Sequence, residues 1–561
     1  MKKTILFAGA FMAAFGTVYA QESESLDRQV DVTRDYRPTV ERATKLSVKP
    51  NMTDTVQLRP NFEYQVMPMP INHGFGVTAI SPVSVNASTY EPLYPFYLKA
   101  GGGFPGNSVA DLYFNSTGQG NGSVGFYINH EGNYNKITND LGFKRKALKT
   151  QNSAALNGKV ALGNVILSGE IGLDYDIFSR YGQFSYDGIL PVAEPTKVVQ
   201  QKFMTPRANI RIGNDFSDLT RLNFAVNAGG YYFKDDFSIA ETGLQFGLDF
   251  AKLFGESLIS LSAGYDGTYG NDKINDFKGH LINVAPRYEF VSDKVKIGLG
   301  LNFVFDINDI DNEVTVLPSF NIAAISNPAF VPFIDMGSNV ENNSYRHLTS
   351  LNPYLNEGWP LAENTYHYDL RAGISGTVGN VFMYKIYGGA GYVKDAVDFA
   401  NLFEEDNSST FVTFCEQRII EYMAGIELEV RLASSFSAML GGRYTGYDTK
   451  TFEHPIGLPD YEGTFKLKWN HRNRFFATAG LDLIGDRWFM EYYAGSQTPP
   501  EEILFVKQKA VVDVNMSLEY RLQKELGIFI EGHNLTGDKL YLFNHYPEDG
   551  PVVNVGVKLL F

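Results

Sequence analysis

Pro551-Val552-Val553-Asn554-Val555-Gly556-Val557-Lys558-Leu559-Leu560-Phe561 is the stretch whose reading decides the fold. Counted back from the terminal aromatic, Phe561, Leu559, Val557, Val555 and Val553 share one face of a strand. Leu560, Lys558, Gly556 and Asn554 occupy the other, because strand side chains alternate with period two. One face wholly apolar, the other carrying Lys, Gly and Asn, suits a wall between lipid and water.

The same alternation recurs upstream. In 294–306, Val295, Ile297, Leu299, Leu301, Phe303 and Phe305 oppose Lys296, Gly298, Gly300, Asn302, Val304 and Asp306. In 366–375, Tyr366, Tyr368, Leu370, Ala372 and Ile374 oppose His367, Asp369, Arg371, Gly373 and Ser375. In 244–250, Leu244, Phe246, Leu248 and Phe250 oppose Gln245, Gly247 and Asp249. A soluble core rarely receives Asp, Arg, Lys and His on its inner face, whereas a polar lumen tolerates them all. Tight turns, such as 162–164, 254–257 and 378–380, alternate with longer polar or Pro-rich connections such as 181–200, 339–364 and 497–507. That pattern predicts an all-β transmembrane antiparallel barrel with short periplasmic turns and long extracellular loops. Tracking direction from turn to turn gives about 22 strands between residues 92 and 561, an even number.

Composition agrees. Hydrophobic residues make up 44% of the chain, yet no second run of about 18 apolar residues exists, so helical spans are excluded. Fifty-four Gly, 33 Tyr and 42 Phe suit curved strands and interfacial girdles. A secreted sandwich array or propeller is the competing reading, but no repeat of fixed period is visible. The net charge of −15 argues against a nucleic-acid partner. The single Cys415 leaves no internal disulfide, so closure of the barrel must hold the fold.

Lys2 and Lys3, the apolar run from Ile5 to Gly16, and Val18 and Ala20 before Gln21 read as a secretory signal peptide, residues 1–20. Residues 21–91 read as a short extended periplasmic or lumenal segment, and 92–561 as the barrel.

Several stretches carry a family resemblance. The strand Val553, Val555, Val557, Leu559, Phe561 resembles the assembly signal of bacterial outer-membrane barrels, which implies the outer membrane as location, with its lipid, lipopolysaccharide and barrel assembly machinery as partners. His533-Asn534-Leu535-Thr536-Gly537, Tyr541, Tyr546-Pro547 and Gly550 resemble the last hairpin of TonB-dependent receptors, although Pro551 stands where that family usually has Arg. Asn352-Pro353-Tyr354-Leu355 is similar to that family's Asn-Pro-x-Leu loop segment. The resemblance spans 92–561 and implies ligand uptake. It also implies a plug, for which 21–91 is too short, and Met67-Pro68-Met69-Pro70 is too Pro-rich for a sheet interior. A full plug is therefore expected to be missing. Val30-Asp31-Val32-Thr33 and the residues to Val40 resemble leaders of plug-poor, receptor-like barrels of Bacteroidetes-type bacteria. Val30, Asp31, Val32 and Thr33 form a candidate strand for an energy-transducing partner by β-augmentation, or a leader lining the periplasmic mouth.

Chemistry is sparse. No His-Glu-x-x-His, Gly-x-Ser-x-Gly or phosphate-cradling loop occurs, so neither a cofactor nor an enzyme is expected. The acidic run Asp306 to Glu313 reads as a solvated hairpin tip ahead of a Ca²⁺ loop, because it lacks the required Gly. Tyr181, Tyr186, Tyr354 and Trp359 are candidate ligand-loop aromatics, with an interfacial girdle as the alternative. The expected function is an outer-membrane transport or receptor barrel, with a surface-lipoprotein or energy-transducing partner. The alternatives are a structural or scaffolding barrel in a larger assembly and a barrel enzyme.

Overall fold

The strands found in sequence close on one another. The computed structural model describes residues 94–116, 121–184, 198–237, 239–271, 276–309, 312–356, 362–379, 381–403, 410–432, 435–493, 502–548 and 550–561. The expected signal peptide of residues 1–20, the 21–91 segment with Val30 to Thr33, and Tyr186 and Trp359 lie outside the described residues. One sheet contains 24 strands, and 22 of them, all antiparallel, close into a barrel. The remaining two, Arg487–Tyr493 and Glu502–Gln508, form an inner hairpin at one end.

Closure is made by the C-terminal strand. Val552–Leu560 pairs with Leu526–His533 on one side and with Phe96–Phe104, the first barrel strand, on the other. Val555, Val557 and Phe561 are exposed on the outer face, and Phe561 stacks on Phe96 at 4.4 Å. On the inner face Lys558 pairs with Glu519 at 2.7 Å and Lys99 with Glu531 at 2.9 Å, both ammonium groups lying over the Phe529 ring.

The outer surface is a continuous apolar band, as period-two strands require. Leu244, Phe246, Leu248 and Phe250 are exposed, as are Leu299, Leu301, Phe303 and Phe305. Their alternates carry the polar lumen. Arg207 pairs with Glu170 and Asp174 and donates to Tyr127. Arg443 pairs with Glu462, and Arg371 with Asp369. Exposed apolar side chains outside and paired charges inside exclude a water-facing exterior, so the wall spans a membrane.

The end that holds Phe96 and Phe561 carries tight turns, with Gly163, Gly255 and Gly379 at positive φ. The opposite end carries the long connections, although short ones at Phe104–Asn107 and Asp235–Ala240 occur there too. The hairpin Phe382–Leu402 and Thr410–Leu432 has strands of 21 and 23 residues. A tilted spanning strand needs only about 9–11, so the surplus extends past the lipid band.

The shortest ladder among the described barrel strands lies at one junction of the wall. Asn312–Ala324 bonds to Val331–Glu341 only through Phe320↔Met336, Asn321↔Asp335, Ile322↔Ile334 and Ala323↔Phe333, near the turn end. Above that, each strand stays paired to its other neighbour, up to Ile307↔Asn312 and Glu341↔Thr365. The two halves part and overlap. Val304 and Leu317 have the parity of the inner face, opposite to exposed Phe303, Phe305, Val314 and Val316. Tyr366 and Tyr368 have the parity of the outer face, shared with exposed Leu370. Yet Val304, Leu317 and Tyr366 pack together at 0%, 1% and 2% exposure, with Leu281, Val340 and Tyr368 against them. One flap of the wall therefore lies over the outer face of the next.

Candidate functional site

The loop-end mouth holds the largest buried cluster. Its floor comes from inward residues at the tops of strands, Phe178, Phe203 and Phe233. From across the barrel the long hairpin contributes Val397, Phe399 and Phe411. Between them sit Tyr181 from one loop, Tyr345, Leu348, Tyr354 and Leu355 from a second, and Phe543 and Tyr546 from the last. Apolar contacts thus run from one side of the barrel to the other, and these loops form a lid.

The residues that carried the family resemblance meet here. Tyr354 of the Asn-Pro-Tyr-Leu segment stacks on Tyr546 of the Tyr-Pro pair with centroids 3.9 Å apart. Tyr181 lies edge-on to both, at 6.5 and 5.0 Å, and donates from its hydroxyl to Pro547 O at 2.9 Å. Gly182 admits the Tyr546 ring, since a Cβ there would collide with Cε2. Burial pushes the Tyr354 phenol far above its usual pKa, so it stays neutral. Of the candidate ligand aromatics, then, Tyr181 and Tyr354 are buried lid residues that touch each other.

Polar ties fix each lid segment. The short helix Tyr345–Leu351, capped by the Ser344 side chain accepting from His347 N, docks on Glu241. That fully buried carboxylate accepts from Tyr345 N at 2.7 Å and from the Tyr231 hydroxyl at 2.7 Å. Asp235 accepts from the Tyr345 hydroxyl at 2.9 Å. Arg180 donates to Gln201 Oε1 and Leu355 O, each at 2.9 Å. The inner hairpin pairs in parallel with Ala400–Leu402, and its Arg487 donates to Tyr541 O at 2.7 Å. Each tie supplies a partner to a polar group that burial would otherwise leave unsatisfied.

His545 is the central tie of the last loop. Its ring stacks on Phe184 at 4.3 Å, with Nδ1 2.8 Å from Asp140 and Nε2 2.7 Å from Glu491. Only the imidazolium donates from both nitrogens. Burial opposes that charge, but hydrogen bonds and attraction from Asp140 and Glu491 outweigh it and raise the His545 pKa. Burial likewise opposes ionised Asp140, yet His545 and Tyr541 hold its pKa below the usual range. The raised His545 pKa adds stability in full below the unfolded value of about 6.5, and this is lost as pH rises through the folded value. The lowered Asp140 pKa adds stability above about 3.9, lost as pH falls through its folded value. The tie is therefore complete between about pH 4 and 6.5 and fades on the alkaline side. His545→Gln is expected to cost about 1.5–3 kcal/mol of loop stability near pH 6 and much less near pH 9. Urea unfolding of wild type and variant at both pH values measures the difference, and a pH-independent gap would refute the charged bridge.

The sequence reading missed Asp140, Glu241, Glu491 and His545, which lie in separate loops and strands with no common spacing. The one sequence signal near them is Tyr546-Pro547, whose family resemblance does not by itself mark a site. Asp306 and Glu313, read as a solvated tip, belong instead to the overlap in the wall. Asp306 is buried and accepts from the Tyr366 hydroxyl at 2.9 Å, and Glu313 pairs with Lys394 at 2.6 Å. Cys415 lies 3.9 Å from Asp395 and near Glu363. Lys394, the partner of Glu313, lies 3.5 Å from that aspartate.

No protein-family model and no curated protein sequence matches the chain. Solved structures do. The chain is similar to the FrpB iron transporter of Neisseria meningitidis (F3-3 variant), with a TM-score of 0.62, 12% identity, and 84% of this chain and 82% of that one covered. It is similar to the siderophore receptor PirA of Acinetobacter baumannii at a TM-score of 0.63 and 10% identity, covering 83% and 80%. The ferric yersiniabactin uptake receptor FyuA of Yersinia pestis gives a TM-score of 0.60 and 10% identity, covering 84% and 81%. The fold of this chain is that of these solved barrels. Together with the exposed apolar band it places this chain in an outer membrane.

Proposed function

We propose that this barrel is a receptor that admits a ligand across the outer membrane, with the aromatic lid as its external gate. The observation that carries the reading is the lid itself. A scaffold needs only a wall, whereas here Tyr181, Tyr354 and Tyr546, brought by separate loops, roof a lumen lined with paired charges. Stacked aromatics with a few buried ties form a surface that a ligand arriving from outside would displace. The similar structures, an iron transporter and a siderophore receptor by their descriptions, support uptake as the class. The ligand of this chain stays unspecified, and no catalytic chemistry enters. Residues Val30 to Thr33 are the proposed strand for an energy-transducing partner, and lipopolysaccharide is the proposed neighbour of the exposed wall.

Planar-bilayer conductance of the mature protein tests this reading, beside a variant lacking residues 21–91 and one with Tyr354→Ala and Tyr546→Ala. The intact barrel is expected to be silent and the variant combining the deletion with both Tyr substitutions to conduct, and conductance in one of the two simpler variants identifies that element as the closure. Silence in every variant, including the two combined, would favour a scaffold. Steady large conductance in the intact protein would sink the gated reading.

A further inference from the structure

We propose that the overlap between Asn312–Ala324 and Val331–Glu341 is a lateral portal through which an acyl-chain amphiphile passes between the lumen and the lipid. Neighbouring barrel strands are held by ladders such as the one from Ala240↔Asn271 to Phe254↔Ser257, whereas this junction keeps only Phe320↔Met336 to Ala323↔Phe333. Backbone ladders hold a barrel wall in lipid, because unpaired amides there are costly. Above Phe320 the junction relies on side chains instead.

Those side chains sort by chemistry. The overlapped faces are apolar: Val304, Leu317 and Leu281 from one flap, and Val340, Tyr366 and Tyr368 from the other. At the loop end a polar latch joins the flaps. Glu313 pairs with Lys394, and Asp306 accepts from Asn364 Nδ2 at 2.7 Å and from the Tyr366 hydroxyl. Lower down, the Ser338 hydroxyl donates to Pro318 O at 2.6 Å. Pro318 offers no amide, so it suits a strand edge that does not stay paired.

The path between the flaps connects the inner face of one strand group with the outer face of the next, and so the lumen with the lipid band. A hydrated solute would lose its water along Val304, Leu317 and Tyr366, whereas an acyl chain would replace one apolar contact by another. The charged latch at the rim suits a headgroup. The wall also gives access from the side while the lid blocks the mouth. The inference rests on the uptake reading for its purpose but makes a separate claim about the wall, which ion conductance does not probe.

The test uses the full mature chain with Glu313→Cys, Lys394→Cys and Cys415→Ser, reconstituted in phosphatidylethanolamine–phosphatidylglycerol vesicles. Two photoreactive probes are compared: a diazirine fatty acid added from water and a diazirine phospholipid built into the bilayer. Mass spectrometry reads adducts on inward residues of Ser257–Asn271 against adducts on the lipid-facing residues of Ala240–Phe254. In the reduced protein, inward adducts are expected from at least one probe, and the productive probe shows whether the source is the free amphiphile or membrane lipid. Bridging the two thiols with a bis-methanethiosulfonate reagent, which spans the reach of the original Glu and Lys side chains, should abolish inward adducts and leave outer ones unchanged, with recovery on reduction. Inward labelling that is indifferent to the crosslink, or absent with both probes, would overturn the portal. Should the double-cysteine chain fail to fold, Lys394→Met loosens the latch without a crosslink. It should increase inward labelling, and no change would overturn the proposal equally.

Discussion

Gly556→Val is expected to abolish closure of the barrel. Gly556 faces Gly101 of the first strand and Phe529 of the penultimate one. A Cβ at Gly556 would lie 2.6 Å from Gly101 Cα and 2.6 Å from Phe529 Cε1, and closer still to the Ala100 carbonyl. Two of these obstacles are backbone and have nowhere to go. The Phe529 ring is itself pinned beneath Lys99 and Lys558, at 4.8 and 5.3 Å, and those ammonium groups pair with Glu531 and Glu519. Overpacking commonly costs about 1–3 kcal/mol where side chains can shift, and more is expected where the strand pair itself must open. The closed barrel, held by backbone ladders around its whole ring, is expected to run as a compact band in unboiled SDS electrophoresis, which reads the outcome. The compact band should vanish for Gly556→Val and persist for Val555→Ala, whose side chain points to lipid at 56% exposure. A compact band at wild-type level in Gly556→Val would show that closure does not depend on this pair.

The second large effect is expected at the lid. Truncating a buried aromatic to Ala typically costs about 3–5 kcal/mol, as lost burial plus the cavity left behind. Tyr546 is almost fully buried and touches Tyr354, Tyr181 and Phe411, so Tyr546→Ala removes the shared centre of three loops. Tyr354→Ala removes the same stack from the other side. Because the pair is in direct contact, the double variant should cost less than the sum of the singles. The barrel ladders are untouched, so the SDS-resistant band should persist while the loops 352–356 and 541–547 become sensitive to protease added from outside. Loss of the compact band would mean that the lid is part of the barrel's stability and not a separable gate.

Period-two alternation determined the membrane wall. Val553 to Phe561, Leu244 to Phe250 and Val295 to Phe305 needed nothing beyond their own sequence to show which side chains meet lipid, because a strand's faces are set by its pleat. The strand number followed from the same pattern, since each membrane crossing must be bonded to a neighbour on both sides. Tyr366 marks where this logic ends. Its parity assigns it to the outer face, and its strand neighbours agree, yet the flap carrying Val304 and Leu317 covers it. Local sequence states which face a residue occupies, not what lies over that face. For the same reason Asp306 and Glu313 read as a solvated tip, although the overlap gives them Tyr366, Asn364 and Lys394 as partners. The lid was less legible still: Tyr181, Tyr354 and Tyr546 are far apart in the chain, in loops without periodicity, and meet only because the barrel brings those loops to one mouth. Local sterics and solvent contrast act on every residue of a strand and so leave a repeating trace in sequence, whereas the lid and the overlap are set by closure of the sheet, a constraint that belongs to the whole ring of strands and to no segment of it.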